Sequence, residues 1–180
     1  MKLVKLKSTT STMDVAKKIC KEHPELLEEG VTIVAESQTD GRGREGRSWV
    51  SNKGGLYYSL LCRPRDLSGE DDSVLLNRSA MLVCQVVRSV TGVTPILKQP
   101  NDIYLKGAKL GGVLLESGLE GNDQGTKYLI VGVGLNVNQR QVASSLLYST
   151  TSISMVTEKE YDLAPFYSAL TARFLKDLSF

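Results

Sequence analysis

A single histidine, His23, occurs among the 180 residues, so a Ser-His-Asp triad and a histidine-rich metal centre have little to be built from. His23 stands before Pro24 at an expected helix end, where a surface-loop place suits it better than catalysis. The three cysteines, Cys20, Cys62 and Cys84, are odd in number, far apart and set in apolar patterns. They read as reduced core residues, which points to the cytoplasm and away from a disulfide framework. Apolar runs fall far short of the ~20 residues of a membrane span, so no membrane partner is expected. The opening MKLVKLKSTTST has no uninterrupted apolar core, so a secretory signal is not expected either. Basic and acidic residues nearly balance, 22 against 20, for a net charge of +2. That balance calls for neither nucleic acid nor an anionic surface. An aromatic content of 6% supplies few stacking platforms, and nucleic acid is not the expected partner.

Apolar spacing carries the fold. Lys2–Lys7, Val31–Ser37, Gly55–Cys62, Pro95–Lys98, Ile103–Leu105, Leu110–Glu116 and Tyr128–Val137 read as strands. Turns are expected at Pro100-Asn101-Asp102, Lys106-Gly107-Ala108 and Gly121–Gly125. Ser11 followed by Asp14 resembles a capping box, and Val15, Ala16, Ile19 and Cys20 give a short amphipathic helix behind it. Ser73–Thr91 is apolar over a wide arc and reads as a mostly buried helix ended by Gly92. Asp162–Leu178 reads as a helix with Pro165 in its first turn. Residues 139–160 look irregular, and Arg63–Asp72 reads as a polar connection. The class is α+β, with a mixed, mainly antiparallel sheet flanked by helices, in one domain spanning residues 1–180.

Four segments could carry chemistry. Gly41–Trp49, GRGREGRSW, combines glycines whose backbone an anion can approach with Arg42, Arg44 and Arg47, forked donors for phosphate or carboxylate. Trp49 adds a flat face on which a base could stack. With no apolar residue between Gln38 and Ser48, this stretch reads as a mobile loop. A solvated basic loop has the same composition, and the segment alone does not decide. In Lys98-Gln99-Pro100-Asn101-Asp102 the lysine stands at a strand end, yet a turn with a solvent-facing lysine is the simpler reading of the pentapeptide. The glycine pairs in Lys109–Glu116 and Val131–Asn138 weaken strands unless a bulge or a closely approaching ligand needs them. The GxG of the latter lacks the third glycine and the following helix of a dinucleotide fold.

The order of these segments is more specific than any of them. Ser11-Thr12, Gln38 with GRGREGRSW, KQPND, KLGGVLLE and VGVGLNVN resemble, over about residues 8–140, the catalytic domain of the biotin protein ligases. The resemblance implies a fold related to class II aminoacyl-tRNA synthetases and lipoate ligases. It also implies an ATP- and Mg²⁺-dependent synthesis of biotinyl-5′-AMP, followed by transfer of biotin to a lysine of the biotin carboxyl carrier protein of acetyl-CoA carboxylase. It places Ser11, Thr12, Gln38, Gly41, Gly111, Gly112 and Gly134 around biotin. Arg42, Arg44 and Lys98 become the catalytic cations, with Arg42 and Lys98 also on biotin. Arg44, Arg47, Trp49, Lys98 and Asn136 become the nucleotide contacts, Asn136 at the adenine edge.

Two features depart from the family pattern. Gln99 stands where most members carry tryptophan, and neither an N-terminal helix-turn-helix nor the usual small C-terminal barrel is visible. A repressor function is therefore not expected. A lipoate- or octanoate-type ligase and a non-catalytic biotin-binding homologue are the rival readings. Oligomeric state, a homodimer included, stays open.

Overall fold

The computed structural model describes residues 1–64, 71–120, 126–142 and 149–178. The expected turn at Gly121–Gly125 and most of the Arg63–Asp72 connection lie outside them. In chain order the strands are β1 (Lys2–Leu6), β2 (Val31–Ala35), β3 (Leu56–Cys62), β4 (Ile96–Lys98), β5 (Asp102–Leu105), β6 (Ala108–Glu120) and β7 (Thr126–Leu135). The helices are α1 (Thr12–Glu22), α2 (Asp72–Thr91), α3 (Ile153–Thr157) and α4 (Ala164–Leu178). The strands form one seven-stranded sheet in the order β1-β2-β3-β7-β6-β5-β4. β1 runs parallel to β2, and every other neighbour is antiparallel. The chain thus forms the mixed, mainly antiparallel sheet that hairpin-rich patterning implies.

Both faces of the sheet are covered, which is why β3 is buried at every position and shows no polar alternation. On one face α2 and α4 bring Leu75, Val83, Val87, Phe166, Leu170 and Phe174 onto Tyr58, Leu60, Val131 and Val133. On the other, α1 lays Met13, Ala16 and Cys20 against Ile33, Leu61 and Ile130. The alternation along β7 now has a physical meaning. Val131, Val133 and Leu135 fill the α2/α4 side. Gly132 and Gly134 point the other way, toward Met13 and Trp49.

Ser11 caps α1 by accepting a hydrogen bond from the Met13 amide at 3.3 Å. Asp14 does not complete the expected capping box, because its carboxylate is taken by Arg42. α2 ends at Gly92 in a left-handed conformation, φ 79°. Its apolar arc is wider than its contact, since Val74 and Met81 remain about half exposed. The stretch read as irregular contains α3, capped by the Ser152 hydroxyl, which accepts from the Met155 amide at 3.1 Å. Among the described residues no helix is long and apolar enough to cross a membrane.

Candidate active site

The pocket on the α1 face gathers segments far apart in the chain. Its rear is the start of α1, where Ser11 and Thr12 are buried. Gln38 closes this end by accepting from the Thr12 amide at 2.8 Å and the Thr12 hydroxyl at 3.2 Å. Its amide nitrogen donates to Ser51 Oγ at 2.9 Å, and Ser59 donates to Thr12 Oγ1 at 2.8 Å. Hydroxyls and an amide thus stand in a fixed polar array beside Met13 and Leu114, the composition of a site for a small, largely neutral ligand.

The glycine–arginine segment forms the roof, and it is not featureless. The Trp49 amide donates to Gly41 at 2.7 Å and the Gly43 amide to Arg47 at 2.6 Å. A single 3-10 turn spans Arg44–Gly46. Arg42, Arg44, Arg47 and Trp49 all line the pocket. Arg42 forks onto Asp14, Nη1 lying 3.2 Å from Oδ2 and Nη2 bonding Oδ1. This guanidinium holds the Asp14 carboxyl below the usual carboxylate range. Arg44 reaches Asn101 Oδ1 at 3.4 Å, and Arg47 turns back onto Glu45 at 3.1 Å.

The floor is the strand pair β6–β7. A side chain on Gly134 would meet the Trp49 indole at 2.7 Å, so this glycine is what seats the tryptophan. Gly112 lines the pocket, and a Cβ there would make only ordinary contact, with Asn101 O nearest at 3.5 Å. Gly111 behaves differently. A Cβ there would lie 2.4 Å from the Gly134 carbonyl, so its glycine serves strand-to-strand approach beside the register shift at Ile103/Tyr104. Gly41 is similar, with the Trp49 carbonyl 2.4 Å from a Cβ position. Neither Gly41 nor Gly111 lines the pocket.

Two further expected site residues also lie outside the lining. Lys98 ends β4, an edge strand of the sheet, is exposed, and lies 5.2 Å from the Tyr104 ring centroid, outside the pocket lining. The solvent-facing reading of its pentapeptide is the one the fold adopts. Asn136 is buried and also outside the lining: its Nδ2 donates to Thr151 at 3.0 Å, and its backbone joins Leu110 and Ile153. It ties the α3 segment to β6.

The lysine inside the pocket is Lys109, only 7% exposed. Its Nζ is 2.7 Å from Asp102 Oδ1 and 5.8 Å from the Trp49 ring centroid. Its backbone is clamped by Ser149 and Thr151, each at 2.9 Å. In the sequence the KLGG segment stands out for its glycines and not for its lysine. The available signal was a charge opening an apolar strand directly after a turn. The sequence marks Asn101 only as a turn residue, yet it is buried and bonds Val113 through both backbone and side chain, at 3.1 and 2.9 Å. Asp14 was read only as part of a cap.

Known proteins resemble this chain in sequence and fold. Residues 5–136 match the model of the biotin/lipoate A/B protein ligase family. The bifunctional ligase/repressor BirA of Bacillus spizizenii is 34% identical over 139 residues, 76% of this chain and 42% of that protein. The biotin–[acetyl-CoA-carboxylase] ligase of Mycobacterium tuberculosis is 34% identical over 62% of this chain and 41% of its own length. This chain thus spans about two fifths of those curated relatives. Among solved structures, the biotin protein ligase of Aquifex aeolicus in complex with biotin and ATP superposes with a TM-score of 0.76 at 31% identity, covering 99% of this chain and 73% of that one. The chain belongs to the biotin/lipoate A/B protein ligase family.

Proposed function

We propose that this chain is an ATP-dependent biotin–protein ligase acting in the cytoplasm on the biotin carboxyl carrier protein of acetyl-CoA carboxylase. The carrying observation is that Arg42 and Arg44 of the glycine–arginine segment and Lys109 of β6 line one pocket whose other end is a neutral polar array. In the first step a biotin carboxylate oxygen attacks the α-phosphorus of ATP. A P–O bond forms, the bond to the β-phosphate breaks and pyrophosphate leaves. Both reactants are anions, so cations placed where they meet supply the main stabilisation of the transition state.

Lys109 takes the junction role first expected of Lys98, with Asp102 aiming its ammonium. Arg42 and Arg44 cover the carboxylate and the adenylate phosphate, and Arg47 faces the leaving phosphates. Ser11, Thr12 and Gln38 recognise the ureido ring, Gly112 gives it room, and Trp49, seated on Gly134, stacks on adenine. The Trp49 N–H is buried without an acceptor among the described residues, which suits a site that a ligand completes. Gly41 and Gly111 support the site through packing, and Asn136 supports it through the α3 segment.

Magnesium would enter with the triphosphate and neutralise the leaving pyrophosphate. Among the described residues no three side chains cluster as a metal cage, and Asp102 is the carboxylate lining the pocket. In the second step the amine of a carrier lysine attacks the acyl carbon of the anhydride and AMP departs.

The deciding experiment incubates the chain with ATP, Mg²⁺, carrier domain and either biotin or lipoate, and weighs the carrier by mass spectrometry. A biotin adduct that requires ATP is expected. A lipoate adduct alone, or binding of biotin with no pyrophosphate release, would overturn the proposal.

A further inference from the structure

No apolar side chain lies between Gln38 and Ser48, so burial cannot hold the glycine–arginine segment over the pocket. Besides the Asp40 amide, which donates to the Thr10 carbonyl at 2.9 Å, and Trp49 seated on Gly134 at the far end, two side-chain ties hold it, one on each wall, and they are unequal. Arg44 meets the neutral Asn101 through a long bond of 3.4 Å. Arg42 meets Asp14 through a fork of two charge-assisted bonds, one of them at 3.2 Å. Asp14 sits in the first turn of α1, where the helix N-terminus favours a carboxylate, and Thr10 Oγ1 donates to it at 3.3 Å. One turn on, Lys17 is paired with Glu116 of β6 at 2.5 Å. Asp40 is a distant second partner of Arg42 at 3.9 Å. The fork uses Nη1 and Nη2, leaving the remaining guanidinium N–H groups available to an anion.

We infer that Asp14 is a positioning residue, whose carboxylate anchors the Arg42 guanidinium at the pocket and with it the whole glycine–arginine segment. The anchor places a donor before the ligand arrives, so less conformational entropy is lost at the moment of binding. It costs some net positive charge at the mouth. The identity of the incoming anions rests on the ligase reading; the tie itself does not.

Limited trypsinolysis of the full chain tests this directly, because the segment carries its own cleavage sites at Arg44 and Arg47. In Asp14→Asn, cleavage there is expected to rise about fivefold, the population change a partly exposed pair of this kind supports. Cleavage elsewhere and Tm should stay unchanged, and Asp14→Glu should recover part of the protection. In an Arg42→Ala background the Asp14→Asn change should add nothing. Unchanged segment cleavage in Asp14→Asn, or an equal acceleration with Arg42 already removed, would overturn the inference. Pyrophosphate release separates the two proposals. A parent chain that releases none sinks the ligase reading while the proteolysis result stands. A parent that turns over, with KM for ATP and biotin unmoved in Asp14→Asn, sinks the positioning role.

Discussion

The roof and floor of the pocket are held by opposite means. The floor, β6 with β7, is a continuous antiparallel ladder from Gly111↔Leu135 outward, with Val131 and Val133 in the core beneath it. Its shape is set by where side chains are missing. The roof, Gly41–Trp49, has no apolar side chain before Trp49, which sits on Gly134, and is otherwise held by individual ties such as Arg42 to Asp14 and Arg44 to Asn101. Substitutions in the floor should therefore act through stability and shape. Substitutions in the roof should act through chemistry with little change in folding. Lys109 joins the two regimes, a charged group on β6 just ahead of that ladder and lying by the Trp49 ring.

The largest effect is expected at that junction. Lys109→Ala should lower adenylate formation by ~10²–10³-fold, the usual cost of removing a donor that meets transition-state charge. Lys98→Ala, on the exposed edge, should stay within about twofold, as surface changes do. Pyrophosphate release measured for both variants checks this, and an equal loss at Lys98 would break the distinction between the two lysines. Next comes the glycine pair of the floor. Gly111→Ala forces a methyl to 2.4 Å from the Gly134 carbonyl. It should cost ~1–3 kcal/mol, a fall of about 3–10 °C in Tm. Gly112→Ala meets nothing closer than 3.5 Å. It should leave Tm nearly unmoved while weakening biotin binding, so equal thermal shifts for the pair would show that Gly112 does not face an open ligand space. Smallest is Arg44→Ala in the roof. It should leave Tm alone and let the adenylate escape about tenfold faster, the loss of one charge-assisted contact. Retention of labelled adenylate on the enzyme reads this out, and retention equal to the parent's would remove Arg44 from the lid.

Several of these elements were legible in the chain itself, because they depend on local order. Periodicity placed the strands and long helices within a few residues, Gly92 marked the end of α2, and hairpin spacing implied the antiparallel class. The short α3 escaped because five residues carry too little periodicity, and its cap, Ser152, sits in a Ser/Thr-rich stretch that also suits a loop. Within the pocket, the roof was readable because arginines among glycines are chemically unusual wherever they fold. The lysine was not.

Lys98 and Lys109 each stand beside a turn in the same hairpin region, and which one enters the pocket depends on tertiary placement. β4 is an edge strand, so Lys98 reaches solvent and Tyr104. Lys109, second in β6, is flanked by Thr150 and Tyr104 and is turned inward onto Asp102. Composition and motif order by themselves determined the class of fold and the family. Only the folded sheet decided which lysine lines the pocket, since a two-residue side-chain period converts strand placement and register into the difference between a buried charge and an exposed one.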